Sequence, residues 1–181
     1  DPSNAGSYTL IGTINDVNHA GSSTDTLVIS KATATVTLGS LAQTYDGTPK
    51  SATATTTPNG LTVDFTYNGS PTAPTNAGSY TVIGTINDAN YVGTSTDTLV
   101  IAKANQNISF TTPAPVGALV GGPVYTPSAS STSGLSIVIT IDAASAAVCS
   151  ISVGDVSYFG TGTCTINANQ AGDSNYNPAL Q

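Results

Sequence analysis

An all-β chain of small tandem β-sandwiches is the fold that the sequence predicts, on three observations. Thr, Val, Ile and Tyr alternate with polar residues over short runs, which is the period-two pattern of strands. Gly, Pro, Asn and Asp punctuate those runs at turn spacing, and no window carries helical periodicity. Finally, residues 1–32 return at 73–104, where 8 of the 32 positions differ and 24 are identical. A fixed period of this kind marks a repeat array and overrides the one or two domains that the chain length alone would suggest.

The first repeat segment, 1–32, reads as the second half of a unit. Tyr8, Ile11 and Ile14 fall on one strand and Leu27 to Ile29 on the next. Two strands cannot bury a core, so the partner strands are expected upstream of Asp1 or from another chain. Residues 33–104 hold one complete repeat. Thr33–Leu38 alternates as a strand, Tyr45-Asp46-Gly47-Thr48-Pro49 turns, and Lys50–Thr57 is expected as a second strand. Pro58-Asn59-Gly60 leads into Leu61–Tyr67, whose apolar residues share one face. After the Asn68-Gly69 turn come Ser79–Asn87, with Tyr80, Val82 and Ile86 facing inward, and Thr96–Ala102.

Residues 105–181 form a different module. Leu135–Ile141 and Cys149–Val153 alternate on odd positions, and Cys164–Ala168 on even ones, which places both cysteines on the apolar faces. Asp173-Ser174-Asn175-Tyr176 echoes Asp88-Ala89-Asn90-Tyr91 and Asp16-Val17-Asn18-His19. In each earlier case this loop precedes a final strand, and the last module is expected to lack that strand before Gln181. Leu27–Lys31 runs straight into Thr33, and Leu99–Ala104 runs on toward Ile108, with no Gly/Ser spacer at either joint. Flexible coils are therefore not expected between modules. The expected arrangement is a stiff stack, end to end.

Asn76-Ala77-Gly78-Ser79-Tyr80 looks like the start of the penultimate strand of an immunoglobulin-like sandwich, where a corner Tyr bonds its hydroxyl back to the backbone. More broadly, the run from Lys31 to Ala104 closely resembles the MBG repeats of large bacterial surface proteins. The motifs that carry this are Thr44-Tyr45-Asp46-Gly47-Thr48-Pro49, Asn76 to Tyr80 and the closing Ile101-Ala102-Lys103-Ala104, and the likeness extends over 1–104. Residues 105–181 resemble a bacterial Ig-like repeat through Val148 to Ile151, Gly162 to Ile166 and Ala171 to Tyr176. These resemblances imply a secreted or surface-anchored, adhesin-like protein in which such modules serve as stalk. They supply no catalytic residues to transfer.

Composition narrows the function classes. Charged residues are 7% of the chain, with three Lys, no Arg and no Glu, and the formal charge is −7. Nucleic acid as a partner is excluded on that balance, because phosphate neutralisation needs clustered Lys or Arg. An anionic bilayer is disfavoured likewise. No apolar run reaches the length of a membrane span, and no signal peptide is visible at the start. The extracellular setting, on a bacterial surface, is what the resemblance implies.

Chemistry-bearing residues are sparse. His19 is the only His, and Tyr91 takes its place one period later, so a nucleophilic triad is not expected and no enzyme is read here. Ten Asp residues are spread along the chain rather than paired. Cys149 and Cys164 lack further zinc ligands, and their register fits a disulfide, which by closing a loop of about 15 residues would add roughly 3 kcal/mol. Asp16, Asn18, Asp88, Asn90, Asp173 and Asn175 put hard oxygens in junction loops. Calcium could use these, and Asx turns explain the same residues. Lys31 and Lys103 read as snorkelling side chains at joints, and Asn68-Gly-Ser70 and Asn107-Ile-Ser109 match a glycosylation acceptor pattern. The expected partners are neighbouring repeats of the same chain, or other copies pairing through open strand edges.

Overall fold

The computed structural model describes residues 1–179. Strands account for almost all of the regular structure; among the described residues the exception is one turn of 3-10 helix, Ala143–Ser145, capped by the Asp142 carboxylate. Two compact units divide the chain, 1–43 with 48–101, and 44–47 with 102–181.

In the first unit, β1 (Gly6–Thr13) and β2 (Ser22–Ile29) form an antiparallel hairpin. The complete repeat follows as β3 (Ala32–Thr33), β4 (Thr35–Gly39), β5 (Ala42–Thr44), β6 (Thr53–Thr57), β7 (Val63–Tyr67), β8 (Gly78–Ile86), β9 (Tyr91–Val92) and β10 (Thr94–Ala102). One sheet has the order β5-β10-β8-β7, and β4 pairs β6 in a second. The inner faces meet over Val36, Ala52, Tyr67, Val82, Ile86, Leu99 and Ile101, all buried. That is a β-sandwich, built because alternate residues of each strand are apolar.

Several boundaries differ from the sequence expectation. The strand expected over 33–38 breaks at Ala34, since β3 pairs in parallel with β9 while β4 pairs with β6. The strand expected from Lys50 begins only at Thr53, because Lys50 donates its N–H to Pro74 C=O and Ala52 donates to the Tyr67 hydroxyl (2.9 Å) instead. β5, unforeseen, closes the edge of the larger sheet beside β10.

The corner tyrosines behave as their motif requires. Tyr80 donates its hydroxyl to Asn76 C=O (2.9 Å), and Tyr8 donates to Asn4 C=O (2.8 Å). Val82, two residues on, is fully buried.

The second unit contains β11 (Ile108–Phe110) with β12 (Ala129–Ser131), β13 (Val138–Ile141) with β16 (Ile166–Asn169), and β14 (Cys149–Ser152) with β15 (Asp155–Tyr158). A disulfide joins Cys149 to Cys164, with Cα atoms 5.8 Å apart. Val153 does not lie on the inner face as its alternation suggested. It sits at the β14–β15 turn with φ 51° and its side chain in solvent, and Gly154 follows at φ 87°. Two residues at positive φ are what a tight hairpin turn of this hand needs.

Candidate functional site

The three Asp-x-Asn loops are the recurring polar feature, and each is organised by its Asp. Asp88 Oδ1 accepts from the N–H groups of Asn90 (2.7 Å) and Tyr91 (3.0 Å), and Asp173 Oδ1 accepts from Asn175 and Tyr176 (both 2.7 Å). Asp16 Oδ1 takes the Asn18 N–H (2.8 Å) and the His19 ring Nδ1 (2.8 Å). These are Asx turns. The His19 hydrogen bond first, and the Asn18 N–H second, hold the exposed Asp16 carboxyl below its usual range. Among the described residues no three Asp, Glu, His or Cys side chains converge as metal ligands would. In each loop one carboxylate oxygen, Oδ1, is taken up by these turn hydrogen bonds.

The loops meet lysines. Lys31 Nζ donates to Asp88 C=O (2.6 Å), and Lys103 Nζ donates to Asp173 C=O. The next residue of each pair then bridges the loop: Ala32 N–H to Asn90 C=O (2.8 Å), and Ala104 N–H to Asn175 C=O (2.9 Å). Each Lys thus closes one sequence segment, 1–32 or 33–104, and holds the Asp-x-Asn loop of the segment that follows. The Lys-Ala…Asp-x-Asn-Tyr clasp therefore recurs in both units. Its local Asx part was legible in the sequence; the Lys pairing, 57 or 70 residues distant, was not.

Asn90 also reaches the β1–β2 hairpin. Its Oδ1 accepts the Ala5 N–H (2.8 Å) and its Nδ2 donates to Asn4 Oδ1 (3.1 Å). Only two residues separate β2 from β3, so this joint in the first unit has backbone continuity and side-chain ties with no spacer.

Sequence reasoning missed Gln106. It is buried, donating from Nε2 to Asn177 C=O (2.7 Å) and to Gln170 Oε1, while its Oε1 accepts from Ser133 Oγ. A buried amide satisfied on both ends fixes one arrangement of the surrounding strands. It lies between Asn105 and Asn107 in a polar run ahead of β11, so nothing in the sequence sets it apart from its neighbours. Tyr45, within the Tyr-Asp-Gly-Thr-Pro motif, sets its ring edge-on to Tyr176 with centroids 5.3 Å apart. Asn68 lies in the β7–β8 turn at φ 48°, where its Oδ1 accepts the Thr81 N–H (2.8 Å), a turn role for the first acceptor motif. Asn107, of the second, is exposed.

The second unit holds a cavity of about 570 Å³ lined in part by Leu119, Val120, Tyr125, Tyr158, Cys164 and Ile166. Its lining carries no Asp, His or Lys. Partial burial, with Tyr125 nearby, raises the Tyr158 phenol above its ordinary range.

A family model described as MBG domain matches residues 1–33 and again 34–105. Neither a curated protein nor a solved structure gives a significant match.

Proposed function

The chain belongs to the MBG domain family through residues 1–105, and on that premise we propose that it is a structural repeat segment of an extracellular bacterial surface protein, a stiff spacer in a stalk or filament used in adhesion. Residues 105–181 continue the array as an Ig-like module. No catalytic step is assigned to any residue.

The joint in the first unit carries this reading. Two residues connect β2 to β3, Lys31 caps the Asp88 turn, and Asn90 holds the Asn4-Ala5 backbone. A connection so short and so tied resists bending, unlike a Gly/Ser linker. The Cys149–Cys164 disulfide is in keeping with an oxidising exterior. Neighbouring repeats are the partners this role needs.

Small-angle scattering on chains carrying two, three and four copies of residues 33–104 tests the spacer. Each added repeat is expected to lengthen the maximum dimension by roughly 30–40 Å, the rise of strands eight to ten residues long plus their turns. Growth that saturates, or a distribution typical of freely jointed beads, would sink the proposal.

A further inference from the structure

The hairpins β1–β2 and β8–β10 have nearly the same sequence and the same register one period apart. Gly6 faces Ile29 as Gly78 faces Ile101, and Tyr8 faces Leu27 as Tyr80 faces Leu99. Their exposure is opposite. Val82, Ile86 and Leu99 are 0%, 7% and 0% exposed, whereas the corresponding Leu10, Ile14 and Leu27 are 48%, 54% and 37% exposed.

The difference is the covering segment. In the complete repeat, β7 flanks β8, and β4 with β6 lies over its inner face. At Gly84 the cover comes close: a Cβ there would lie 2.9 Å from Leu38 Cδ2 and 3.1 Å from Val63 Cγ1. Gly12, its equivalent, has nothing within 4 Å. The notch is present and its filling is elsewhere.

We propose that the open face and edge of β1–β2 are a docking surface for the leading half of an MBG repeat, a polypeptide with the strand pattern of residues 34–67. Its Leu38- and Val63-type side chains seat on Gly12, and its β7-type strand pairs with β1. The observed register transfers directly. Tyr67, Thr66, Phe65 and Val63, which face Val82, Ile83, Gly84 and Ile86, come opposite Leu10, Ile11, Gly12 and Ile14.

Exchange between two copies of this chain does not satisfy the surface. Each copy has two trailing hairpins, 6–29 and 78–101, and a single leading segment between them, so every hairpin covered by exchange uncovers another. An additional leading half is required.

The phase of the ladder supplies a readout. Asn68 N–H donates to Thr81 C=O, and Asn87 N–H donates to Thr62 C=O, both at 2.9 Å. Alternation then points the amides of Thr81, Ile83 and Thr85 at β7, and those of Thr9, Ile11 and Thr13 at the open edge.

The test mixes the 181-residue chain carrying Ile11→Cys with a synthetic polypeptide of residues 33–72 carrying Thr66→Cys, in a glutathione redox buffer. Directly opposed Cα atoms lie within disulfide range, so the Ile11–Thr66 cross-link is expected at least about tenfold ahead of one to a polypeptide carrying Asp64→Cys, two residues out of register. Equal yields, or a predominance of Ile11→Cys homodimers that would mean a second copy occupies the face, overturn the proposal. A second measurement decides where the synthetic polypeptide stays unreactive. Residues 33–72 are fused ahead of Asp1, and amide hydrogen exchange at Thr9, Ile11 and Thr13 is expected to slow by on the order of 100-fold. Exchange that matches the unfused chain overturns it. Neither readout senses the stiffness of the array, so this inference and the spacer reading fail separately.

Discussion

Single residues show how a repeat tunes one sequence to two environments. Gly84 sits between Leu38 and Val63, and Gly12 faces open space. Gly84→Ala is therefore expected to cost about 1–3 kcal/mol by overpacking, while Gly12→Ala stays within about 0.5 kcal/mol. Urea midpoints of the two variants check this pair. Tyr158 provides a pH handle. Partial burial, and secondarily Tyr125, raise its phenol pKa in the folded state. The folded protein then holds this proton while the unfolded chain releases it from about pH 10 upward. The contribution is complete below that range and is lost as pH rises through the raised folded value. Tyr158→Phe should accordingly flatten part of the alkaline loss, read as the difference in urea midpoint between pH 9 and pH 11.

Elements of the fold depend on local chemistry to very different degrees. β7, β8 and β10 follow from alternation, and the corner Tyr bond closes over only four residues, so both were legible in the sequence. β3, β5 and β9 are two or three residues long and exist because distant strands lie beside them. Val153 shows the failure of the period-two rule at a strand end: the pattern continues one residue further than the strand, and the turn takes that residue at positive φ. The Cys149–Cys164 bridge links β14 to the chain just ahead of β16. Closing a loop with sequence separation 15, it should stabilise the second unit by about 3 kcal/mol, chiefly through the unfolded chain. Denaturation with and without reductant is expected to lower the midpoint of that unit and leave the transition of the first unit in place.

At the scale of the molecule, the sparse charge and a joint held by hydrogen bonds point the same way. Thr, Ser and Asn supply the polar surface, and the clasp of the first unit is a lysine on a carbonyl together with amide-to-backbone bonds. Hydrogen bonds of this kind are screened less than surface ion pairs are. The lengthening per repeat expected from scattering should therefore persist from about 0.1 M to 1 M salt, where a stack held apart by like-charge repulsion would contract within that range.

The amino-acid sequence alone determined the repeat, the all-β class, the corner tyrosines, the Asx turns and the inward register of both cysteines. All of these are set by neighbours within a few residues or by self-similarity along the chain. The tertiary structure decided which sheet each short strand joins, that Lys31 and Lys103 clasp loops far along the chain, that Gln106 is buried among Ser133, Gln170 and Asn177, and that one hairpin is covered while its near-copy is open. Burial and pairing are properties of the partner as much as of the residue, and a partner dozens of residues away leaves no periodic trace in the sequence that meets it.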